Sequence, residues 1–388
     1  MEKTSAEGVF LDLARSILNG TKPSELPDDV TADEVFAIGS RQDMAPITFC
    51  ALNSISPKPE SEKWGEWQKR FLDDCMRSEI QLSEYRRLTE YLCGNGVKII
   101  PLKGVVIKDL YPSPSLRVMS DVDLLYSGIQ TRNLSKLMKA FGYSAKDLEA
   151  GYHDVFYKKP CMNIELHRQL EEYNSPYKSI LNDMFDRATE DAEVPNLYHI
   201  KPEDLYIHVI VHAAKHFKLS GLGIRPIADI YVIYSKFSEN WDFGYISSQL
   251  QSVGLERFEE KIRKTAVSFF GEEHSEISDA ELMFFFRGGT YGKYDESVRW
   301  ESISSGECRK DAILRKIFAP MSDMKNWFPV LKKHPYLYPF IMVFRWFDRL
   351  LHRTRRVKAV FTLDRIPKEE IEYEKSILKD FGMEEKDM

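Results

Sequence analysis

Residues 119–126 read MSDVDLLY, an apolar segment that carries two acids two positions apart. Side chains at positions i and i+2 of a β-strand project from the same face of the sheet. We therefore predict a strand over this segment in which Asp121 and Asp123 stand side by side while Val122 and Leu124 pack behind them. Two carboxylates held in this way repel each other unless a cation neutralises them, and their hard oxygen ligands suit Mg²⁺.

The spacing of the two aspartates does not by itself identify a metal site. In a chain with 60 acids among 388 residues, two acids separated by one residue are expected by chance at roughly nine positions. Considered alone, the pair is better explained by an edge strand whose acids face water. A glycine turn upstream and a third acid downstream make the metal site the more specific hypothesis.

The third acid lies in the segment MNIELH, residues 162–167, which alternates strictly between apolar and polar side chains. This alternation is typical of a half-buried strand that lines a cleft. Glu165 lies on its polar face, and three carboxylates on adjacent strands can hold two divalent ions for in-line phosphoryl or nucleotidyl displacement. His167, on the same face, either supports that metal site from behind or caps the strand.

Upstream of the acidic pair, residues 101–106 read PLKGVV and predict a turn from a strand into a short helix. Gly104 permits close approach of the backbone, and a helix N-terminus favours phosphate. Lys103 adds a mobile positive charge that suits a triphosphate, and Arg117 could clamp a phosphate through two hydrogen bonds. The simpler alternatives are an ordinary turn with an exposed lysine, and an arginine that pairs with a nearby acid.

The hydrophobic pattern along the whole chain predicts an α+β fold, in which a small mixed β-sheet core is flanked by N-terminal and C-terminal helical regions. Residues 1–94 carry apolar side chains at helical spacing and form the first region. Residues 95–175 alternate strand, helix, strand, helix and hairpin, and form the core. Residues 176–388 return to helical periods, most clearly over 204–219 and 227–237.

Two further groups of polar residues lie in the C-terminal helical region. His208, His212 and His216 recur every four residues and would form one stripe on a helix. Zinc binding at this spacing requires a third ligand as well, so the alternative is a packing or pocket-wall role, for which we single out His212. Arg225 and Asp229 lie one helical turn apart, either as a buried ion pair that shapes the substrate side or as a plain salt bridge at a helix start.

The composition argues against several classes of protein. With 54 basic and 60 acidic residues the net charge is −6, which disfavours general binding to a nucleic-acid backbone. Five cysteines without a CxxC pair indicate neither a disulfide framework nor a zinc site, and they suit the reducing cytoplasm. No apolar run approaches the ~20 residues that span a bilayer. The basic aromatic segment 340–358 is either a packed helix with a solvated face or a surface for an anionic membrane or RNA.

The run LKG…YPSPSLRVMSDVDLL, followed by NIELH, resembles the nucleotidyltransferase superfamily that includes polymerase beta and the minimal nucleotidyltransferases. More narrowly, it resembles the bacterial family of uncharacterised nucleotidyltransferases, over most of residues 30–300. The resemblance implies transfer of a nucleoside monophosphate from a nucleoside triphosphate (NTP) to a hydroxyl on a small molecule, sugar, protein or RNA end. It also implies two Mg²⁺ ions, or Mn²⁺, as cofactors.

The resemblance also implies roles for single residues. Asp121 and Asp123 would hold the metal ions together with Glu165, which would lower the pKa of the acceptor hydroxyl. The residues that would bind the triphosphate are Lys103, Gly104 and Arg117. The superfamily usually has Gly-Gly or Gly-Ser where this chain has Lys103-Gly104, and its third acid is usually Asp. These departures leave open a catalytically inactive module that binds a nucleotide or a protein.

Overall fold

The computed structural model describes residues 5–148, 151–172, 174–272, 279–287, 317–328, 330–352 and 368–383. These residues fall into two compact units, the first drawn from 1–213 and 224–286 and the second from 214–223 and 287–388. The predicted division at residues 94 and 175 stays a prediction about the organisation of the chain. Cys308 and the basic residues 353–358 of the aromatic segment lie outside the described residues.

Helices make up most of the first unit, and the first two begin at capping residues. Ser5 caps the first helix by accepting a hydrogen bond from the Gly8 N–H, and Thr31 and Glu34 form a reciprocal capping box on the second. The helices up to residue 287 are α1 (Ala6–Leu18), α2 (Ala32–Arg41), α3 (Ala45–Ser54), α4 (Trp64–Gly94), α5 (Lys103–Lys108), α6 (Thr131–Ala140), α7 (Lys178–Leu181), α8 (Met184–Arg187), α9 (Pro202–Ser220), α10 (Ile224–Phe237), α11 (Phe243–Ser252), α12 (Glu256–Phe270) and α13 (Asp279–Arg287).

A five-stranded mixed sheet lies in the first unit, with strand order β1-β2-β5-β4-β3. Strands β2 and β5 run parallel, and the other neighbouring pairs are antiparallel. The strands are β1 (Lys98–Pro101), β2 (Val122–Ser127), β3 (Ser144–Asp147), β4 (His153–Lys158) and β5 (Met162–His167), and a separate ribbon is formed by β6 (Thr189–Glu190) and β7 (Tyr198–His199). The predicted α+β fold with a mixed sheet and helical flanks is confirmed.

One strand boundary differs from the prediction in a way that matters for the site. Strand β2 begins at Val122 instead of Met119, so Asp121 lies immediately before the strand. The Met119 carbonyl accepts a hydrogen bond from Gln81 Nε2 of α4, at 3.1 Å. This carbonyl is therefore used by a helix side chain, and ladder pairing begins at Val122, three residues later than predicted.

One face of the sheet packs into a hydrophobic core. Val122 and Leu124 of β2 are fully buried there, as are Ile164 and Leu166 of β5, against apolar side chains of α4 and α6. Complete burial of such a side chain contributes roughly 1.5–3 kcal/mol. Since a slip of one residue would turn these side chains to the opposite face, the core fixes the register of β2 against β5 and directs their polar side chains to the other face.

The second unit has a small core of its own, which contains Met324, Leu331 and Met342. The Tyr338 hydroxyl donates a hydrogen bond to the Ala319 carbonyl at 2.7 Å. Its helices beyond residue 287 are α14 (Met321–Trp327), α15 (Val330–Lys333), α16 (Tyr338–His352) and α17 (Lys368–Asp380). Throughout the described part of the chain, none of the helices combines the length and the apolar character that a membrane crossing requires.

Candidate functional site

Strand register brings acids and histidines together on the polar face of the sheet. Asp123 of β2 is the direct partner of Glu165 in the parallel neighbour β5. His167 lies two residues after Glu165 and therefore on the same face, and its antiparallel partner in β4 is His153. These four side chains come from three adjacent strands, and we refer to them as the acid–histidine cluster.

The distances within the acid–histidine cluster are short. His167 Nε2 lies 2.8 Å from Asp123 Oδ1 and 3.8 Å from Glu165 Oε2. His153 Nε2 approaches the same glutamate oxygen to 3.7 Å. The ammonium of Lys103 lies 4.0 Å from Asp123 Oδ1. Two carboxylates, two imidazoles and one lysine therefore meet at this face.

The three acids differ in their electrostatic environment. Burial would raise the pKa of Asp123, but the Lys103 ammonium and the hydrogen bond from His167 together hold it well below its ordinary value. Burial and the charge of Asp123 raise the pKa of Glu165 to about 7. Burial and the same charge also raise the pKa of Asp121. The charge of Lys103 lowers the pKa of all three acids, but only at Asp123, with the help of His167, is the effect of burial outweighed. The site therefore favours additional positive charge near the other two.

The cluster fits a divalent metal ion. One ligand atom each from Asp123, Glu165 and His167 lies within 4.8 Å of the others. Atoms that share an ion at about 2.1 Å lie roughly 3–4.2 Å apart, so small side-chain movements would complete the coordination. Asp121 is not part of this group, although its charge acts on Glu165. The described geometry accounts for one ion, and a second would need Asp121.

The turn between β1 and α5 places Lys103 beside the cluster. Lys103 has a φ of +32°, which non-glycine residues rarely adopt, and such strain is typical of functional sites. Gly104 does not have a positive φ, but a Cβ there would lie 3.1 Å from Met119 Sδ and 3.3 Å from Arg117 Nη1. The absence of a side chain at Gly104 therefore makes room for the packing beneath the turn.

Arg117 lies behind this turn in a buried ion pair. Its Nε and Nη2 donate to the two carboxylate oxygens of Asp229, both at 2.7 Å, and its Nη1 donates to the Gly104 carbonyl at 3.3 Å. The Tyr111 hydroxyl donates to the same carboxylate at 2.8 Å. Arg117 is thus paired with an acid, as the simpler alternative has it, while a role of its remaining N–H groups in phosphate binding stays a prediction. Arg225 contacts Asp43, with 3.4 Å between Nη1 and Oδ2.

Two histidines were missing from the predicted site. His153 lies in a strand without clean alternation, so only the register with β5 reveals it. His208 belongs to the predicted stripe on α9, is 4 % exposed, and its charge helps to lower the pKa of Asp123. His212 follows one turn later and is half-buried. Helical spacing alone could not show which of the two acts on the acidic cluster.

The raised pKa of Glu165 predicts a pH-dependent stability of the metal-free protein. Folding favours the protonated carboxyl, because its pKa is about 7 in the folded chain against an ordinary 4.5. This contribution is complete below about pH 4.5 and is lost as the pH rises through 7. As the pH rises from 5 to 8 in EDTA, we expect the free energy of unfolding of wild type to fall by on the order of 1–3 kcal/mol relative to that of Glu165→Gln. Urea unfolding at each pH measures the difference.

The matched control is Glu79→Gln on the exposed side of α4. This variant should follow the wild-type pH profile, since it leaves the acid–histidine cluster unchanged. A constant difference between wild type and Glu165→Gln from pH 5 to 8 would contradict the proposed environment of Glu165.

One comparison with known proteins, a family model, agrees with the motifs. The sequence model of a family described as "Uncharacterised nucleotidyltransferase" matches residues 28–271, which include the whole acid–histidine cluster and Lys103. Among solved structures, the chain is similar to an antigenic nucleotidyltransferase-like protein from Paracoccidioides brasiliensis. The identity is 18%, the match covers 51% of this chain and 96% of that chain, and the TM-score is 0.34. The comparison with curated proteins gave no match.

Proposed function

Since the chain belongs to the uncharacterised nucleotidyltransferase family, we propose that it transfers a nucleoside monophosphate from an NTP to a hydroxyl acceptor. The observation that carries the proposal is the direct pairing of Asp123 with Glu165 on adjacent parallel strands, beside Lys103. The motifs LKG, SDVDLL and NIELH support a distant relationship to the polymerase-beta-like superfamily. They also support a narrower relationship to the bacterial members of the uncharacterised family. The free thiols of the described cysteines fit a cytoplasmic location.

The side chains of the site suit the individual steps of this reaction. Lys103 carries a mobile ammonium that can move from Asp123 to the triphosphate. Asp121, Asp123 and Glu165 would hold two Mg²⁺ ions, or Mn²⁺, which supply charge neutralisation to the triphosphate and the acceptor oxygen. Glu165 would hold the ion on the acceptor side, which would lower the pKa of the acceptor hydroxyl so that its proton passes to solvent water. The acceptor oxygen then bonds to the α-phosphorus. The bond between the α-phosphorus and the oxygen that bridges to the β-phosphorus breaks, and pyrophosphate leaves.

Residues further from the acids would shape the nucleotide pocket. Gly104 and the Lys103 backbone form the turn on the phosphate side, and Arg117 supports that turn through its hydrogen bond to the Gly104 carbonyl. We propose that His212, Arg225 and Asp229 lie around the same pocket, with Asp229 acting through Arg117. The acceptor is a hydroxyl on a small molecule, a sugar, a protein side chain or an RNA end.

Incubation with each α-labelled NTP tests the proposal. We expect Mg²⁺- or Mn²⁺-dependent release of pyrophosphate and transfer of label to an acceptor, from cell extract or from the protein itself. Glu165→Gln should lower the rate by at least about 10²-fold, because it removes a ligand of the acceptor-side ion and metal-based stabilisation is worth several kcal/mol. Glu79→Gln should be as active as wild type. Label transfer that is equally fast in Glu165→Gln and wild type would contradict the assigned role.

A catalytically inactive nucleotide-binding module is the second candidate. The Lys103 ammonium, 4.0 Å from Asp123, already neutralises part of the acidic cluster, and Lys103 replaces the small residue usual in the superfamily. Such a module would bind NTPs in calorimetry without releasing pyrophosphate, whichever acceptor is added. Turnover with any acceptor excludes it.

A further inference from the structure

Two imidazoles flank a single carboxylate oxygen in the acid–histidine cluster. Nε2 of His153 and Nε2 of His167 lie 3.7 Å and 3.8 Å from Glu165 Oε2. The two histidines are direct partners across β4 and β5, and their ring centres are 5.1 Å apart. The sheet therefore holds both rings beside the same oxygen.

These distances do not correspond to hydrogen bonds. Hydrogen bonds from nitrogen to oxygen lie between about 2.7 and 3.2 Å, so both contacts with Glu165 are too long. They fall within the spacing of roughly 3–4.2 Å between ligand atoms that share one metal ion. In addition, Nδ1 of His153 and Nδ1 of His167 are buried without a hydrogen-bond partner among the described residues. Metal-bound histidines usually donate the other ring N–H to an acceptor, so ligation is inferred from the Nε2 distances alone.

Nitrogen ligands change which metal ion a site prefers. Carboxylates, carbonyls and water suit Mg²⁺ and Mn²⁺, whereas imidazole suits iron, nickel, copper and zinc ions. Among first-row ions, the affinity of a given site rises from Mn²⁺ through Co²⁺ to Cu²⁺. We propose that His167 joins Asp123 and Glu165 as a metal ligand, so that the site selects a later first-row ion such as Co²⁺ over Mg²⁺. His153 lies outside the group whose ligand atoms are all within 4.8 Å of one another, and it joins them by a shift of its ring towards the shared Glu165 oxygen. The inference rests on the proposed function for the presence of a metal and extends it to the identity of the ion and to His153.

The metal preference can be measured by binding alone. Calorimetric titration of the full chain with MnCl₂, CoCl₂ and MgCl₂ gives the affinity ratios. We expect Mn²⁺ and Co²⁺ to bind more tightly than Mg²⁺ in wild type. His153→Gln and His167→Gln should each weaken Mn²⁺ and Co²⁺ binding by about 10–100-fold, as found for changes around metal ligands, and should weaken Mg²⁺ binding less.

His199→Gln is the matched control. His199 is an exposed histidine that pairs with Asp191, with 2.6 Å between Nε2 and Oδ2, and it does not belong to the cluster. The ratios of Mn²⁺ and Co²⁺ affinity to Mg²⁺ affinity in His199→Gln should equal those of wild type. An equal loss of Mn²⁺ and Mg²⁺ binding in His167→Gln would mean that this side chain only positions Asp123, and would overturn the proposal for His167. Unchanged ratios in His153→Gln would overturn it for His153.

A second measurement does not depend on the stability of the variants. Electron spin-echo spectra of wild type with Mn²⁺ should show coupling to imidazole nitrogen. The absence of this coupling would overturn the inference. The result is separable from the proposed function. Nitrogen coupling without pyrophosphate release would retain the metal site and reject the enzyme, whereas Mg²⁺-supported turnover without nitrogen coupling would retain the enzyme and reject the histidine ligands.

Discussion

Asp123→Asn is expected to lower the rate of nucleotidyl transfer by at least about 10³-fold. Asp123 contacts Lys103 and His167 and pairs in register with Glu165. The substitution keeps the shape of the side chain and removes its charge. Metal-based stabilisation of a transition state is worth several kcal/mol, and each 1.36 kcal/mol corresponds to a tenfold change in rate.

Single-turnover label transfer at saturating NTP and metal ion measures this effect on the chemical step. Asp73→Asn, on the exposed side of α4, is the matched control and should retain the wild-type rate. Circular dichroism shows whether each variant is folded. A folded Asp123→Asn protein with more than about a tenth of the wild-type rate would show that Asp123 does not hold a catalytic ion, because a missing metal ligand costs far more than tenfold.

Most strands could be predicted because each one carries a local pattern. Met162 to His167 alternates cleanly, and both it and its hairpin partner β4 lie where the sequence indicates. Strand β3 was missed because Ser144 to Asp147 (SAKD) lacks β-branched and aromatic residues. It forms by pairing with β4, with a register irregularity between Ala145 and Asp147. Such an edge strand depends on its neighbour more than on its own composition.

The candidate site was predictable only where the chemistry is local. Asp123 and Glu165 stand out because each interrupts an apolar segment, and alternation places each on the polar face. The partner of Arg117 is Asp229, 112 positions along the chain, and no spacing rule connects them. The same limit hid His153, whose position beside His167 follows from strand register and not from its own segment.

The second large effect is expected from Asp229→Ala, which should lower the free energy of unfolding by about 3–5 kcal/mol. Asp229 and Arg117 are 3 % and 5 % exposed, and two hydrogen bonds of 2.7 Å join them. Removal of the carboxylate leaves the buried guanidinium without its bidentate partner, and also removes the acceptor of the Tyr111 hydroxyl. A buried pair broken on one side costs far more than the intact pair contributes.

Urea unfolding of both proteins, with equal slopes against denaturant, measures this loss. Asp12→Ala is the matched control. Asp12 pairs with Arg15 on α1 and its side chain is 64% exposed, so its replacement should change stability by no more than about 0.5 kcal/mol. In the double variant Arg117→Ala/Asp229→Ala the uncompensated charge is absent. The double variant should therefore lose less free energy of unfolding than the sum of the losses in the two single variants.

The Asp229 carboxylate should matter for activity as well as stability, because the ion pair connects α10 to the phosphate-side turn. Arg117 donates to the Gly104 carbonyl, and the neighbouring Lys103 carries the strained backbone and the ammonium next to Asp123. We therefore expect folded Asp229→Ala, below its unfolding temperature, to show a higher KM for NTP, since the displaced turn no longer presents Lys103 to the triphosphate. A stability loss under about 1 kcal/mol together with an unchanged KM would mean that the turn is held by other contacts.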